Sequence, residues 1–142
     1  MIPQRITLVT LGVNDLARSR AFYAALGWRP AEEQESVSFY QMNGMVLGLF
    51  GVADLAQDQG RSGTMLGTGA ITLAQNFGTE AEVDAAFEAA LAAGAEALKR
   101  PEKVFWGGYS GYWADPDGHV WEVAMNPFWP LAEDGSLTLP NA

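Results

Sequence analysis

The hexapeptide Ala21-Phe22-Tyr23-Ala24-Ala25-Leu26 returns as Ala86-Phe87-Glu88-Ala89-Ala90-Leu91 with a single change, and a glycine follows each copy, Gly27 and Gly94. Alanine-rich sextets are good helix composition, so the match alone is weak. It constrains the fold because the segments around it repeat as well. Ile6 to Val13 reads as a largely buried strand. Asp15 then caps a helix running to about Leu26, and Gly27 supplies the stop. Three short strands follow near Arg29 to Glu33, Ser36 to Met42 and Met45 to Phe50, the last two joined by the turn Asn43-Gly44. In the second half Ala70 to Phe77 is the strand and Thr79 to Ala93 the helix, with Glu80 and Glu82 in its positively polarised first turn. Ala97 to Phe105, Tyr109 to Ala114 and His119 to Met125 complete the set. The order β-α-β-β-β therefore occurs twice, and Gly44-Met45-Val46-Leu47-Gly48 aligns with Gly118-His119-Val120-Trp121-Glu122.

The expected organisation is one α+β domain over 1–142, with modules at about 5–52 and 69–127, a polar linker at 53–68 and a tail at 128–142. A chain of 142 residues is long enough for one core and short for two ordinary domains. Eight basic against 17 acidic residues leave a charge of −9, which opposes binding to nucleic acid or to an anionic membrane surface and favours cationic ligands over anionic ones. The absence of cysteine excludes disulfides, thiolate nucleophiles and zinc–thiolate sites. No basic-then-apolar leader opens the sequence and no apolar run approaches the roughly 20 residues of a membrane span, so a cytoplasmic protein is expected.

Two motifs carry a resemblance. Val13-Asn14-Asp15-Leu16 with Ala21-Phe22-Tyr23, and Asp115-Pro116-Asp117-Gly118-His119-Val120-Trp121-Glu122, resemble the opening and closing signatures of the vicinal oxygen chelate superfamily, which holds glyoxalases, bleomycin-binding proteins and extradiol dioxygenases. The resemblance covers about residues 5 to 127. It implies that the two βαβββ modules form a cupped, partly closed eight-stranded mixed sheet with helices outside. It also implies four inherited ligand positions on the first and last strands, which fall here on Leu8, Gly48, Thr72 and Glu122. Only Glu122 has a side chain suited to a divalent cation, and transition-metal centres want three or more protein ligands. No metal or other cofactor is therefore expected. His119 and Glu122 stand an odd number of residues apart on a predicted strand and should point to opposite faces, which leaves His119 as a residue of the turn exit.

The stretch Trp106-Gly107-Gly108-Tyr109-Ser110-Gly111-Tyr112-Trp113 gathers aromatics with polar edges and glycines that admit a bulge, and it is expected to border a ligand pocket. Parity separates Trp106, Gly108, Ser110 and Tyr112 from Tyr109 and Trp113; a glycine bulge would exchange the two sets. The candidate ligand-binding residues are thus Leu8, Gly48, Thr72, Trp106, Tyr109, Tyr112 and Glu122, with Glu122 the candidate general base. Ser19, Ser36, Ser38 and Ser110 show no nucleophile motif, and no phosphate-binding glycine fingerprint accompanies Gly12.

Three functions stay open on the sequence. The first is metal-free binding of a small, largely apolar or aromatic molecule, with proton transfer through Glu122. The second is sequestration of a cationic drug, as in bleomycin-binding relatives. The third is a metal-dependent lyase or dioxygenase using Glu122 with Gln75 or with a residue from a second subunit. The apolar tail residues Phe128, Trp129 and Leu131 suit docking on the chain's own sheet or on a partner, and the resemblance implies a homodimer.

Overall fold

The computed structural model describes residues 1–141, in two compact units that divide between Gly67 and Thr68. The first runs β1 (Leu8–Val13), α1 (Leu16–Ala25), β2 (Glu32–Glu33), β3 (Val37–Gln41), β4 (Val46–Gly51) and α2 (Val52–Asp58). The second runs β5 (Thr72–Asn76), α3 (Glu80–Ala93), β6 (Glu96–Lys103), β7 (Tyr109–Ala114) and β8 (Val120–Met125). Each unit holds one mixed four-stranded sheet, ordered β1-β4-β3-β2 in the first and β5-β8-β7-β6 in the second. In both, the first strand pairs parallel with the last and the remaining pairs are antiparallel. The fold class is α+β, built of two βαβββ modules with open sheets, as the repeat predicts. Among the described residues no helix is long and apolar enough to cross a membrane.

Helices α1 and α3 begin where short polar side chains satisfy the first free N–H groups. The Asp15 carboxylate accepts from the Arg18 backbone N–H, and the Thr79 hydroxyl accepts from that of Glu82 while donating to the Glu82 carboxylate. Gly94 ends α3 in the left-handed conformation, φ 111°, which glycine adopts without a Cβ penalty. Phe22 and Phe87, equivalent in the repeated hexapeptide, are both buried. The one changed letter marks where the modules differ. Tyr23 is fully buried and stacks on Trp28 at 5.4 Å, whereas Glu88 is exposed and pairs with Arg100.

Each sheet has one face toward its long helix. In the first unit Leu11, Val13, Tyr40, Leu47 and Leu49 are buried along with Phe22 and Tyr23 of α1, and the Arg20 guanidinium donates to the buried Ser38 hydroxyl and to the carbonyls of Gln34 and Val37. In the second unit Tyr109 and Lys103 bond to Asp84 and Glu80 of α3, and Arg100 lies over the Phe87 ring. Pleat alternation then puts Trp113, Trp121 and Val123, all buried, on that same face, and Ser110, Tyr112, Val120 and Glu122 on the other.

Two findings depart from the sequence expectation. The segment read as a linker opens with a helix, α2, because Gly12 leaves room for it: a Cβ there would lie 3.1 Å from Val52 Cγ1 and 3.2 Å from Leu55 Cδ2. That apolar contact offsets the polar character of the surrounding letters. The anticipated glycine bulge falls on β6, where register shifts occur between Ala97 and Lys99 and again between Lys99 and Glu102. Gly111 on β7 accommodates it, since a Cβ at that position would sit 2.7 Å from the Pro101 nitrogen and 2.8 Å from the Lys99 carbonyl oxygen. The β7–β8 register is unbroken, so the parity of the aromatic stretch is preserved. Replacing Gly111 with Ala drives a methyl group into backbone and should lower stability by about 1–3 kcal/mol. Gly67→Ala, which meets nothing within 4 Å, should stay within about 0.5 kcal/mol of the parent in urea denaturation.

Candidate functional site

The β7–β8 and β5–β8 registers seat Glu122 between Tyr112 and Ala74 in one row across the second sheet, on the face away from α3. The Tyr112 hydroxyl donates to Glu122 Oε2 at 3.2 Å, and both residues are half-buried. Burial and the neighbouring Glu122 carboxylate hold the Tyr112 phenol above the ordinary tyrosine value of 10.0, so it remains a neutral donor through the physiological range. Thr72 is exposed on the same face, one pleat along β5 from Ala74. Lys99 extends the row: its register partner is Tyr112, and its Nζ pairs with Glu102 at 3.1 Å. This exposed pair is worth about 0–1 kcal/mol and is easily exchanged for another partner. Lys99 was not foreseen from the sequence. Its placement depends on the bulge opposite Gly111, and the glycine was the available signal.

Leu8 and Gly48 lie in the first unit, on the face away from α1. Leu8 is exposed and pairs with Val46; Gly48 is buried and pairs with Thr10 and Phe39. A Cβ on Gly48 would meet the Phe39 ring at 3.2 Å and the Thr10 hydroxyl at 3.4 Å, so the ring fills the room that a ligand-bearing side chain at position 48 would need. The other candidates are placed apart from Glu122. Trp106 lies in the turn between β6 and β7, and its ring packs on Gly108, 2.0 Å from where a Cβ would stand. Tyr109 is on the α3 face of the sheet, donating to Asp84 Oδ1 at 2.8 Å, and this bond raises its pKa. His119 is buried where the turn exits into β8, its backbone N–H donating to Asp115 Oδ1.

The inherited positions do not fit a metal. Leu8, Gly48 and Thr72 supply no ionisable or imidazole donor, and no group of three or more His, Cys, Asp or Glu side chains able to hold a metal ion occurs among the described residues. Combining Glu122 with Gln75 is corrected by the register: Gln75 opposes Val123, one residue out of phase with the Ala74–Glu122 pair, and so points to the opposite face. The arrangement that the second sheet does build is a carboxylate, a phenol and an ammonium in sequence across three strands. Such a row can accept a proton at Glu122, and its phenol and ammonium can donate hydrogen bonds to oxygen atoms of a bound molecule.

The fold and these motifs define a βαβββ protein of glyoxalase type. The chain belongs to the Glyoxalase/Bleomycin resistance protein/Dioxygenase superfamily, whose family model matches residues 5–123. Among solved structures, a glyoxalase-related enzyme from Fulvimarina pelagi is similar at 41% identity and TM-score 0.90, over 96% of this chain and 99% of that one. A glyoxalase/bleomycin resistance protein/dioxygenase from Nocardioides (23% identity, TM-score 0.72, 88% and 85% of the two chains) and a lactoylglutathione lyase from Agrobacterium tumefaciens (22%, 0.69, 92% and 100%) share the fold. No curated protein matches.

The Tyr112–Glu122 bond has a readable consequence. Folding raises the Tyr112 pKa, so the folded chain keeps this proton at pH values where the unfolded chain has lost it. The stabilising contribution is present below the ordinary tyrosine value and declines as pH rises toward the folded one. In a tyrosinate absorbance titration, Glu122→Gln should move the Tyr112 transition down in pH by removing the adjacent charge; an unmoved transition would show that the two groups do not interact in solution.

Proposed function

We propose that this protein binds a small, largely apolar or aromatic molecule against the Glu122-bearing face of its second sheet, without a metal, and that Glu122 serves there as a proton acceptor. The observation that carries this reading is the Tyr112–Glu122 bond. It holds the carboxylate on a half-buried surface, flanked by an aromatic ring and the small residues Ala74 and Ser110. A half-buried carboxylate with one donor retains lone pairs for a ligand's N–H, O–H or acidic C–H. Tyr112 supplies apolar area with a polar tip, the composition common in small-ligand sites. The 41% identity to the glyoxalase-related enzyme from Fulvimarina pelagi supports a catalytic reading over pure sequestration. Within that reading the reaction is proton transfer of the lyase or isomerase kind.

The test joins two measurements on untagged protein. Elemental analysis after incubation with divalent metals and desalting should find well under one equivalent per chain. In a fragment screen by NMR, aromatic hits should perturb the Tyr112 ring, with binding weakened about tenfold in Glu122→Gln, equivalent to about 1.4 kcal/mol. Stoichiometric retained metal would overturn the metal-free reading, and hits indifferent to Glu122 would overturn its role.

Assembly and location belong to the same proposal. Phe128 and Trp129 of the tail are 65% and 40% exposed, a costly display of aromatic surface that supports a homodimer. A cytoplasmic setting is part of the proposal, and a chain without cysteine needs no oxidising compartment to fold. Light scattering should give twice the chain mass at micromolar concentration, and Trp129→Glu should shift it toward the monomer.

A further inference from the structure

The first unit contains a cavity of about 320 Å³, far along the chain from Glu122 and formed by Asn14 after β1, one side of α2, and the loop at 62–66. Its lining includes the half-buried Val52 and the buried Ala56, and the exposed polar residues Asn14, Gln57, Ser62 and Thr64. None of its lining residues is charged, in a chain where 18% of residues are. Among the described residues, the side chains of Gln57, Ser62 and Thr64 make no hydrogen bond within the protein, so their donors and acceptors are available. The wall is held in place rather than loosely hung. Val52 and Leu55 of α2 lie over Gly12, close to where a Cβ would stand, and the Arg61 backbone N–H returns to the Ala56 carbonyl at 2.8 Å.

We infer that this cavity is a second small-molecule site, built from residues other than those of the Glu122 face, and that it takes a neutral molecule with a short apolar body and one amide or hydroxyl group. The volume lies at the small end of the range for ligand pockets. The lining decides the ligand's charge. The pocket is half open, so an ammonium or a carboxylate would give up part of its hydration on its inner side and find only neutral dipoles there, a loss that an uncharged amide does not suffer to the same degree. The amide's N–H₂ and carbonyl match the mixed donors and acceptors of Gln57, Ser62 and Thr64, while its alkyl part covers Val52 and Ala56.

The experiment uses three probes of one shape, isobutyramide, isobutyrate and isobutylammonium, titrated into the full-length ¹⁵N-labelled protein. Isobutyramide should shift the backbone signals of Ala53, Ala56, Gln57, Ser62 and Thr64 saturably, with a millimolar Kd and at least tenfold preference over both ions. Ala53→Leu, a helix-compatible change that fills the cavity, should abolish those shifts while the rest of the spectrum is retained. Gln57→Leu, which keeps the apolar lining, should weaken the amide by about fivefold or more. Equal binding of the ions, shifts that persist in Ala53→Leu, or no saturable shift at these residues would each overturn the inference. Signals of Tyr112 and Glu122, recorded in the same spectra, should not respond in parallel; if they do, the probe is reading the other site and the inference also fails.

Discussion

A strand that feeds a helix and returns to the sheet as another strand in the same direction must lay that helix across one face. Each unit here obeys this constraint twice over, because its first strand also pairs in parallel with its last. The face under the helix becomes core, filled by Leu11, Leu47 and Leu49 in the first unit and by Trp113, Trp121 and Val123 in the second. The opposite face of the second sheet carries Ser110, Tyr112, Val120 and Glu122. Glu122 belongs to that face for no reason other than its parity in β8, and shifting the β7–β8 register by one residue would drive its carboxylate against α3.

The site therefore depends on devices that protect register. Asp115 is one: its carboxylate accepts from the backbone N–H groups of Asp117 and His119, tying the turn so that β8 begins in phase with β7. Gly111 is another. Because it has no Cβ, β6 can bulge toward β7 and still present Lys99 beside Tyr112. The chemistry of the row from Glu122 to Lys99 is then a property of strand alignment across residues far apart in sequence.

Both modules carry the same scaffold but have diverged in what they place on it. At equivalent positions Gly48 is backed by the Phe39 ring, and Glu122 by the Tyr112 hydroxyl. The first lacks room for a longer side chain, and the second carries a carboxylate with a donor. The cavity beside α2 adds a feature of the first unit that the second does not match in sequence, since eight of its ten lining residues come from the segment between the repeats.

Local chemistry was legible from the letters. The repeated hexapeptide, the caps at Asp15 and Thr79, the stop at Gly94 and the Asp-Pro-Asp-Gly turn each act over a few residues, and they were enough to establish two βαβββ modules, while Glu122 was singled out by the resemblance of the closing motif. The helix α2 was not legible, because its stability comes from Val52 and Leu55 meeting Gly12, a contact that exists only once β1 is in place. Nor was the division of the aromatic stretch into Tyr112 toward Glu122 and Tyr109 toward Asp84, since parity gives two alternating sets and only the packing of α3 says which face is which. Sequence determined the elements of the two repeats and the turn chemistry, whose energies are short-range. Tertiary structure decided register, facing and the neighbours of Glu122, because those follow from strands pairing across the sheet.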